Sequence, residues 1–133
     1  MATRKYEQRL RAEGAQQTRQ RIFEALADRL RAAPSEPPSL DKVAEIAGVA
    51  RSTIYTIFGS RAGLFEAFTT DLWERNGLAD VTAAVEVSDA RAHLRGGLRA
   101  ACRMLAGDRE VYRVLSSMTR LDPASLGGAV ESK

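Results

Sequence analysis

Between Gly48 and Gly59 the chain reads Val-Ala-Arg-Ser-Thr-Ile-Tyr-Thr-Ile-Phe, which gathers one guanidinium (Arg51) and four hydroxyls (Ser52, Thr53, Tyr55, Thr56) into about two helical turns. Such groups suit phosphate oxygens and base edges. No nucleophile, phosphate-binding glycine loop or metal-ligand cluster accompanies the acid pairs elsewhere, so the pattern is one of recognition and no catalysis is expected. At roughly 100° per residue, Ile54, Ile57 and Phe58 cluster on one side of this segment. Ser52 and Thr56 fall on the opposite side, Thr53 and Tyr55 on the flanks, and Arg51 at the entrance.

A segment that presents polar groups needs an apolar support. Ser39 is placed to cap a preceding helix with Asp41 in its first turn, and Leu40, Val43, Ala44 and Ala47 follow at i, i+3, i+4, i+7. Gly48 then supplies a left-handed residue that ends the helix and reverses the chain. Two short helices around a glycine turn have helix-turn-helix geometry, in which the second helix, about Arg51 to Phe58, faces a DNA major groove. The same periodicity also fits an ordinary helical hairpin with a polar outer surface.

The flanking segments are helical too. A first helix is expected from about Ala15 to Ala33, with Ile22, Leu26 and Leu30 flanked by Phe23 and Ala27, and it stops at Pro34, Pro37 and Pro38. Residues 1–13, polar and basic, read as a loose arm. Ser60 can cap a fourth helix reaching Arg75, with Leu64, Phe65, Phe68 and Leu72 inward and Asn76-Gly77 as its stop. Residues 78–87 read as a loop. Ser88 then caps a fifth helix to about Ala106, with Leu94, Leu98, Ala101 and Leu105 inward and a bend or close helix contact at Gly96-Gly97. Val111, Tyr112, Val114, Leu115 and Met118 make a sixth segment, and beyond Asp122-Pro123 the tail is expected to fray. The fold class is all-α.

The chain has 133 residues and a formal net charge of +3. Residues 1–63 carry eleven bases and seven acids, whereas residues 64–133 carry nine bases and ten acids, so the basic end faces polyanions. No run approaches the roughly 18 apolar residues of a membrane span, and no secretory segment opens the chain. The expected location is the cytoplasm. Cys102 has no cysteine partner, and one Cys with one His makes no dedicated metal site; no cofactor is expected.

From Arg19 to Phe68 the chain resembles the N-terminal DNA-binding region of the TetR family of bacterial transcriptional regulators. The residues that carry the likeness are Arg19, Ile22-Phe23, Ala25-Leu26 and Leu30; Val43-Ala44 and Ala47-Gly48-Val49; and Thr53-Ile54-Tyr55, Phe58-Gly59-Ser60-Arg61 and Leu64-Phe65. The resemblance implies a TetR-like three-helix DNA-binding domain over residues 14–77, including the start of a connecting fourth helix, and a partial helical regulatory domain over 78–133. It implies that Arg51, Ser52, Thr53 and Thr56 read bases or touch nearby phosphates and that the Tyr55 hydroxyl meets a phosphate. Arg61 is then a backbone clamp, and Ser39 combines cap and phosphate roles. Lys42 and the arm bases Arg4, Lys5, Arg9 and Arg11 are further candidates. Departures from the family pattern are Ala50 in place of a Ser or Thr cap, costing about 1 kcal/mol, Ile57 in place of a frequent histidine, and Gly63 in place of an acidic residue.

The implied function is a sequence-specific, ligand-responsive regulator, expected to be a repressor. Its partners are a double-stranded DNA operator, a small-molecule effector and, in the full-length form, a second copy in a homodimer. Family members carry a longer regulatory domain than residues 78–133 allow, so the chain reads as truncated. The rival reading is a helical protein-interaction module that binds no operator alone. Arg91, Arg95, Arg99 and Arg103 read as a solvated face, His93 as a surface or packing residue, and Cys102 as a small core residue. Trp73 and Tyr112 read as core packing rather than as the lining of an effector pocket, while Tyr6 either stacks or stands free.

Overall fold

The computed structural model describes residues 2–121, which form α1 (Ala2–Ala32), α2 (Leu40–Ala47), α3 (Arg51–Phe58), α4 (Arg61–Arg75), α5 (Leu78–Val85), α6 (Ala90–Gly107) and α7 (Arg109–Leu121). The architecture is all-α. No helix among the described residues is long and apolar enough to cross a membrane. The tail beyond Asp122, expected to fray, lies outside the described residues. The chain divides into two compact units between Ser60 and Arg61.

The first unit holds α1 to α3. Ile22, Phe23, Ala25, Leu26, Ala27 and Leu30 of α1 are buried, as are Leu40, Val43, Ala44 and Ala47 of α2. The two stripes pack on each other. The small Ala44 and Ala47 side chains suit close crossing. The expected loose arm is corrected, because α1 begins at Ala2. Residues 2–13 contain neither Pro nor Gly and are mostly good helix formers. Arg9 pairs with Glu13 at 3.4 Å and lies over the Tyr6 ring, 5.6 Å from its centre. Gly14 interrupts neither the helix nor its side-chain bonds, since Thr18 donates to the Gly14 carbonyl at 3.0 Å.

The second unit holds α4 to α7. Leu64, Phe65, Phe68 and Leu72 of α4 are buried, with Val111, Val114 and Leu115 of α7. The division falls before α4, whereas the sequence pattern places it after Asn76-Gly77. The cause is visible at the end of α4. Asn76 donates to the Asp108 carboxylate at 3.2 Å and to the Tyr112 hydroxyl at 3.3 Å, and Tyr112 donates to the Leu72 carbonyl at 3.4 Å. Arg75 adds a longer pairing with Asp108 at 3.9 Å.

Three further expectations for this unit are corrected. The loop over 78–87 is mostly helix: α5 starts after Gly77, carries Asp80 in its first turn and packs along α6. The cap of α6 is Asp89 rather than Ser88, its carboxylate accepting from the Ala92 amide at 2.7 Å. Most consequential, Leu94, Leu98 and Leu105 do not point inward; they are 61%, 60% and 48% exposed. The side of α6 that meets α5 is the small-residue one. A side chain begun at Gly96 would stand 3.5 Å from the Ala84 Cβ, and one at Gly97 would stand 3.9 Å from Val85 Cγ1. The close contact expected at this glycine pair is present, and it takes the place that leucine burial was expected to fill.

Candidate nucleic-acid interface

The site begins at the turn between α2 and α3. Gly48 adopts φ 70°, and its amide reaches the Ala44 and Glu45 carbonyls, closing α2 in a left-handed residue that L side chains rarely adopt. The Val49 amide returns to the Ala44 carbonyl at 3.0 Å. Ala50 is extended and precedes α3 with no side-chain cap bond, as its methyl side chain dictates.

Helix α3 is seated by its apolar side. Ile54 is fully buried, and Ile57 and Phe58 are half-buried. The Phe58 ring meets Phe23 of α1 at 5.6 Å, and the Arg19 guanidinium lies 5.3 Å from the centre of Phe23 and 5.1 Å from that of Phe58. Arg19 thus covers both rings with a cation, a supporting role that its sequence position on α1 did not disclose.

The opposite side faces solvent. Arg51, Ser52, Tyr55 and Thr56 are exposed, Tyr55 by 40%, and Thr53 is half-buried. Arg51 donates to both carboxylate oxygens of Asp41 at 3.2 Å and to the Tyr55 hydroxyl at 3.3 Å, with its charge 5.6 Å from the centre of the Tyr55 ring. The bond to Tyr55, followed by the field of Asp41, raises the Arg51 pKa above its ordinary value. Thr56 donates to the Ser52 carbonyl at 2.9 Å, which fixes its rotamer and leaves oxygen lone pairs outward. The outer face therefore offers a guanidinium, a phenol and two aliphatic hydroxyls in a row along one short helix.

The remaining candidates are placed unequally. Ser39 precedes α2 in an extended conformation, but its side chain makes no cap bond, so the expected Ser39 cap is corrected to a backbone one: the Val43 amide donates to its carbonyl at 3.0 Å. Lys42 is exposed and pairs with Glu45 at 3.3 Å. Lys42 and Ser39 share a shallow depression with Glu36, Asp41 and Glu45, acids that oppose a phosphate there. Arg61 opens α4, in the second unit, with its guanidinium 5.2 Å from the centre of the Phe65 ring. Arg4, Lys5, Arg9 and Arg11 are exposed along the first turns of α1. Asp41 is the residue to which the sequence pattern assigns too small a part. It was expected to favour the α2 dipole and is also the anchor of Arg51, ten positions away across the turn.

In the second unit α4, α6 and α7 enclose a cleft of about 550 Å³ lined by Phe65, Thr69, Trp73, Met104, Tyr112 and Leu115 among others. Trp73 is corrected from core packing, being 43% exposed at this cleft, and Cys102 is likewise exposed rather than in the core. Tyr112 is half-buried and held by its bonds to Asn76 and Leu72.

Residues 36–68 match the family model for bacterial regulatory proteins of the tetR family. No curated protein and no solved structure matches the chain. The matched stretch includes α2, its glycine turn, all of α3 and the first half of α4. The matched stretch is similar to the N-terminal DNA-binding domain of bacterial regulatory proteins of the tetR family.

Proposed function

We propose that the chain is a cytoplasmic, sequence-specific DNA-binding regulator, and that α3 is its major-groove reader. The observation that carries this reading is the exposed row Arg51, Ser52, Tyr55 and Thr56 on a two-turn helix seated by buried Ile54. Arg51 and Ser52 at the helix entrance address base edges, and the Tyr55 hydroxyl and Arg61 take phosphates. The excess of bases in residues 1–63 supplies the non-specific attraction.

Ligand response and repression extend the same proposal. The cleft of about 550 Å³ has the size of a small-molecule site, with aromatic walls and the hydroxyls of Thr69, Tyr112 and Thr119. Helix α4 carries Arg61 at its start and Phe65, Thr69 and Trp73 of the cleft along its length. An occupant that shifts α4 therefore displaces a phosphate contact and lowers DNA affinity. In a homodimer two readers address half-sites about 34–36 Å apart.

Selection of bound duplexes from a random pool tests the reading. A palindromic motif is expected, with Tyr55→Phe weakening all sequences by roughly fivefold and Arg61→Ala lowering the salt slope by about one. Recovery of no motif would reject sequence-specific recognition, and an unchanged slope for Arg61→Ala would reject its phosphate contact.

A further inference from the structure

On α4, Glu66, Thr69, Thr70 and Trp73 stand at i, i+3, i+4 and i+7, and on α7, Tyr112, Leu115, Ser116 and Thr119 repeat that spacing. At about 100° per residue each set occupies an arc of roughly 100° on its helix. Two matching stripes therefore line the cleft, and Met104 and Leu105 of α6 complete it with apolar side chains. Glu66 and Trp73, seven residues apart, lie within about 20° of each other round α4 and roughly 10 Å apart along it.

Charge and hydrogen bonding restrict what fits there. Glu66 is the only carboxylate in the lining, and no Lys, Arg or His accompanies it. That carboxylate is exposed and has no ion-pair or hydrogen-bond partner among the described residues. Arg113 and Arg120 of α7 stand about 100° round the helix from Tyr112 and Thr119, and neither is a lining residue. Three of the five hydroxyls in the lining have already donated: Thr69 to the Phe65 carbonyl at 2.8 Å, Tyr112 to Leu72 at 3.4 Å and Thr119 to Leu115 at 2.9 Å. They keep lone pairs and give up their protons. Phe65 is 1% exposed and already has Arg61 over its ring, so the accessible aromatic surface is that of Trp73, 43% exposed, and half-buried Tyr112. An anionic ligand would meet a like charge and few donors, whereas a cation would meet a carboxylate, lone pairs and ring faces.

We propose that this cleft takes a monocationic aromatic amphiphile, its ammonium group against Glu66 and its flat ring system against Trp73, roughly 10 Å away along α4. The inference rests on the cleft being the effector site described above and adds the chemical class of the effector.

The test uses the full chain and three biphenyl probes of one shape that end in an aminomethyl, a hydroxymethyl or a carboxylate group. Trp73 is the chain's only tryptophan, so its emission reports occupancy, and titration calorimetry gives the affinities. The ammonium probe should bind about fivefold tighter than the alcohol and about tenfold or more tighter than the carboxylate, with the margin narrowing as salt rises. Glu66→Gln, at an exposed position, should bring ammonium and alcohol within about twofold while leaving the alcohol unchanged, and Glu66→Lys should reverse the order of ammonium and carboxylate. Equal binding of the three probes with altered Trp73 emission would overturn the cationic class and leave the cleft an effector site. A carboxylate preference would do the same by giving charge selection to Arg113 or Arg120. An ammonium preference that Glu66→Gln leaves intact would overturn the assignment to Glu66, and binding of no probe would overturn both the class and the effector site. Glu66-dependent ammonium binding that leaves affinity for duplex DNA unchanged would uphold the class and remove instead the proposed link from the cleft to DNA release.

Discussion

Arg51 stands between a carboxylate and a phenol, and this arrangement governs how it meets DNA. Its pair with Asp41 is half-exposed on the arginine side and more open on the aspartate side, so solvent screens it and it adds little to stability. Its effect is on orientation and local charge. Asp41 holds the guanidinium at the entrance of α3 and also repels any phosphate that approaches it. Asp41→Asn should therefore raise affinity for arbitrary duplex by about threefold to tenfold at low salt while reducing discrimination among sequences. Titration of one selected and one scrambled duplex checks both quantities. An unchanged ratio between them would mean that Asp41 does not aim Arg51. The hydroxyl-and-guanidinium row was legible from residue types at helical spacing, because side-chain direction follows from periodicity. The Asp41–Arg51 pair was not, because its two members are brought together by the turn.

At the scale of elements, α2, its glycine stop and α3 were readable because apolar stripe, breaker and short helix all agreed. Helix α5 was not: eight residues of Leu, Ala, Val and Thr with one Asp carry little polar contrast, and its place is set by α6. The leucines of α6 misled for a related reason. An apolar stripe says that a face seeks cover, and the Gly96-Gly97 side took the neighbouring helix instead. Because a Cβ at Gly96 would meet Ala84 at ordinary contact distance, Gly96→Ala should stabilise the second unit by about 0.5–1 kcal/mol through helix propensity. Gly96→Leu should destabilise it by about 1–3 kcal/mol by overfilling the contact. Chemical denaturation of the two variants gives both signs.

The junction of α4 with α7 offers a pH-dependent counterpart. Burial pushes the Tyr112 phenol above its ordinary pKa, partly offset by the Asn76 hydrogen bond. A raised folded pKa means that the neutral phenol is the form the fold favours. Its contribution is complete below the unfolded value of about 10 and is lost as pH climbs through the folded one. Melting temperatures should thus be insensitive to this group up to about pH 10 and fall above it. Tyr112→Phe should cost about 1 kcal/mol at neutral pH by removing the bond to Leu72. The fall above pH 10 should be shallower in Tyr112→Phe than in the parent, and equal falls would show that other groups set it.

For the whole molecule, the net charge conceals two basic stretches, one in each half of the chain. The first lies in residues 1–63, whose excess of bases accompanies the α3 reader; the second is the acid-free α6, in a half of the chain where acids outnumber bases by one. If both served DNA, removing any phosphate-neutralising base from either surface would lower the salt slope by about 0.9. With DNA recognition confined to the first surface, as proposed for α3, the two respond differently. Replacing Arg91, Arg95, Arg99 and Arg103 together by Gln removes four charges, yet the logarithmic salt slope for a selected duplex should change by less than about one. Replacing Arg51 and Arg61 together by Gln should lower it by about one, the share of the Arg61 phosphate contact, and should also cost discrimination among sequences through Arg51. A slope that fell by about three or more on changing α6 would place that helix against nucleic acid and remove the division of labour between the two halves.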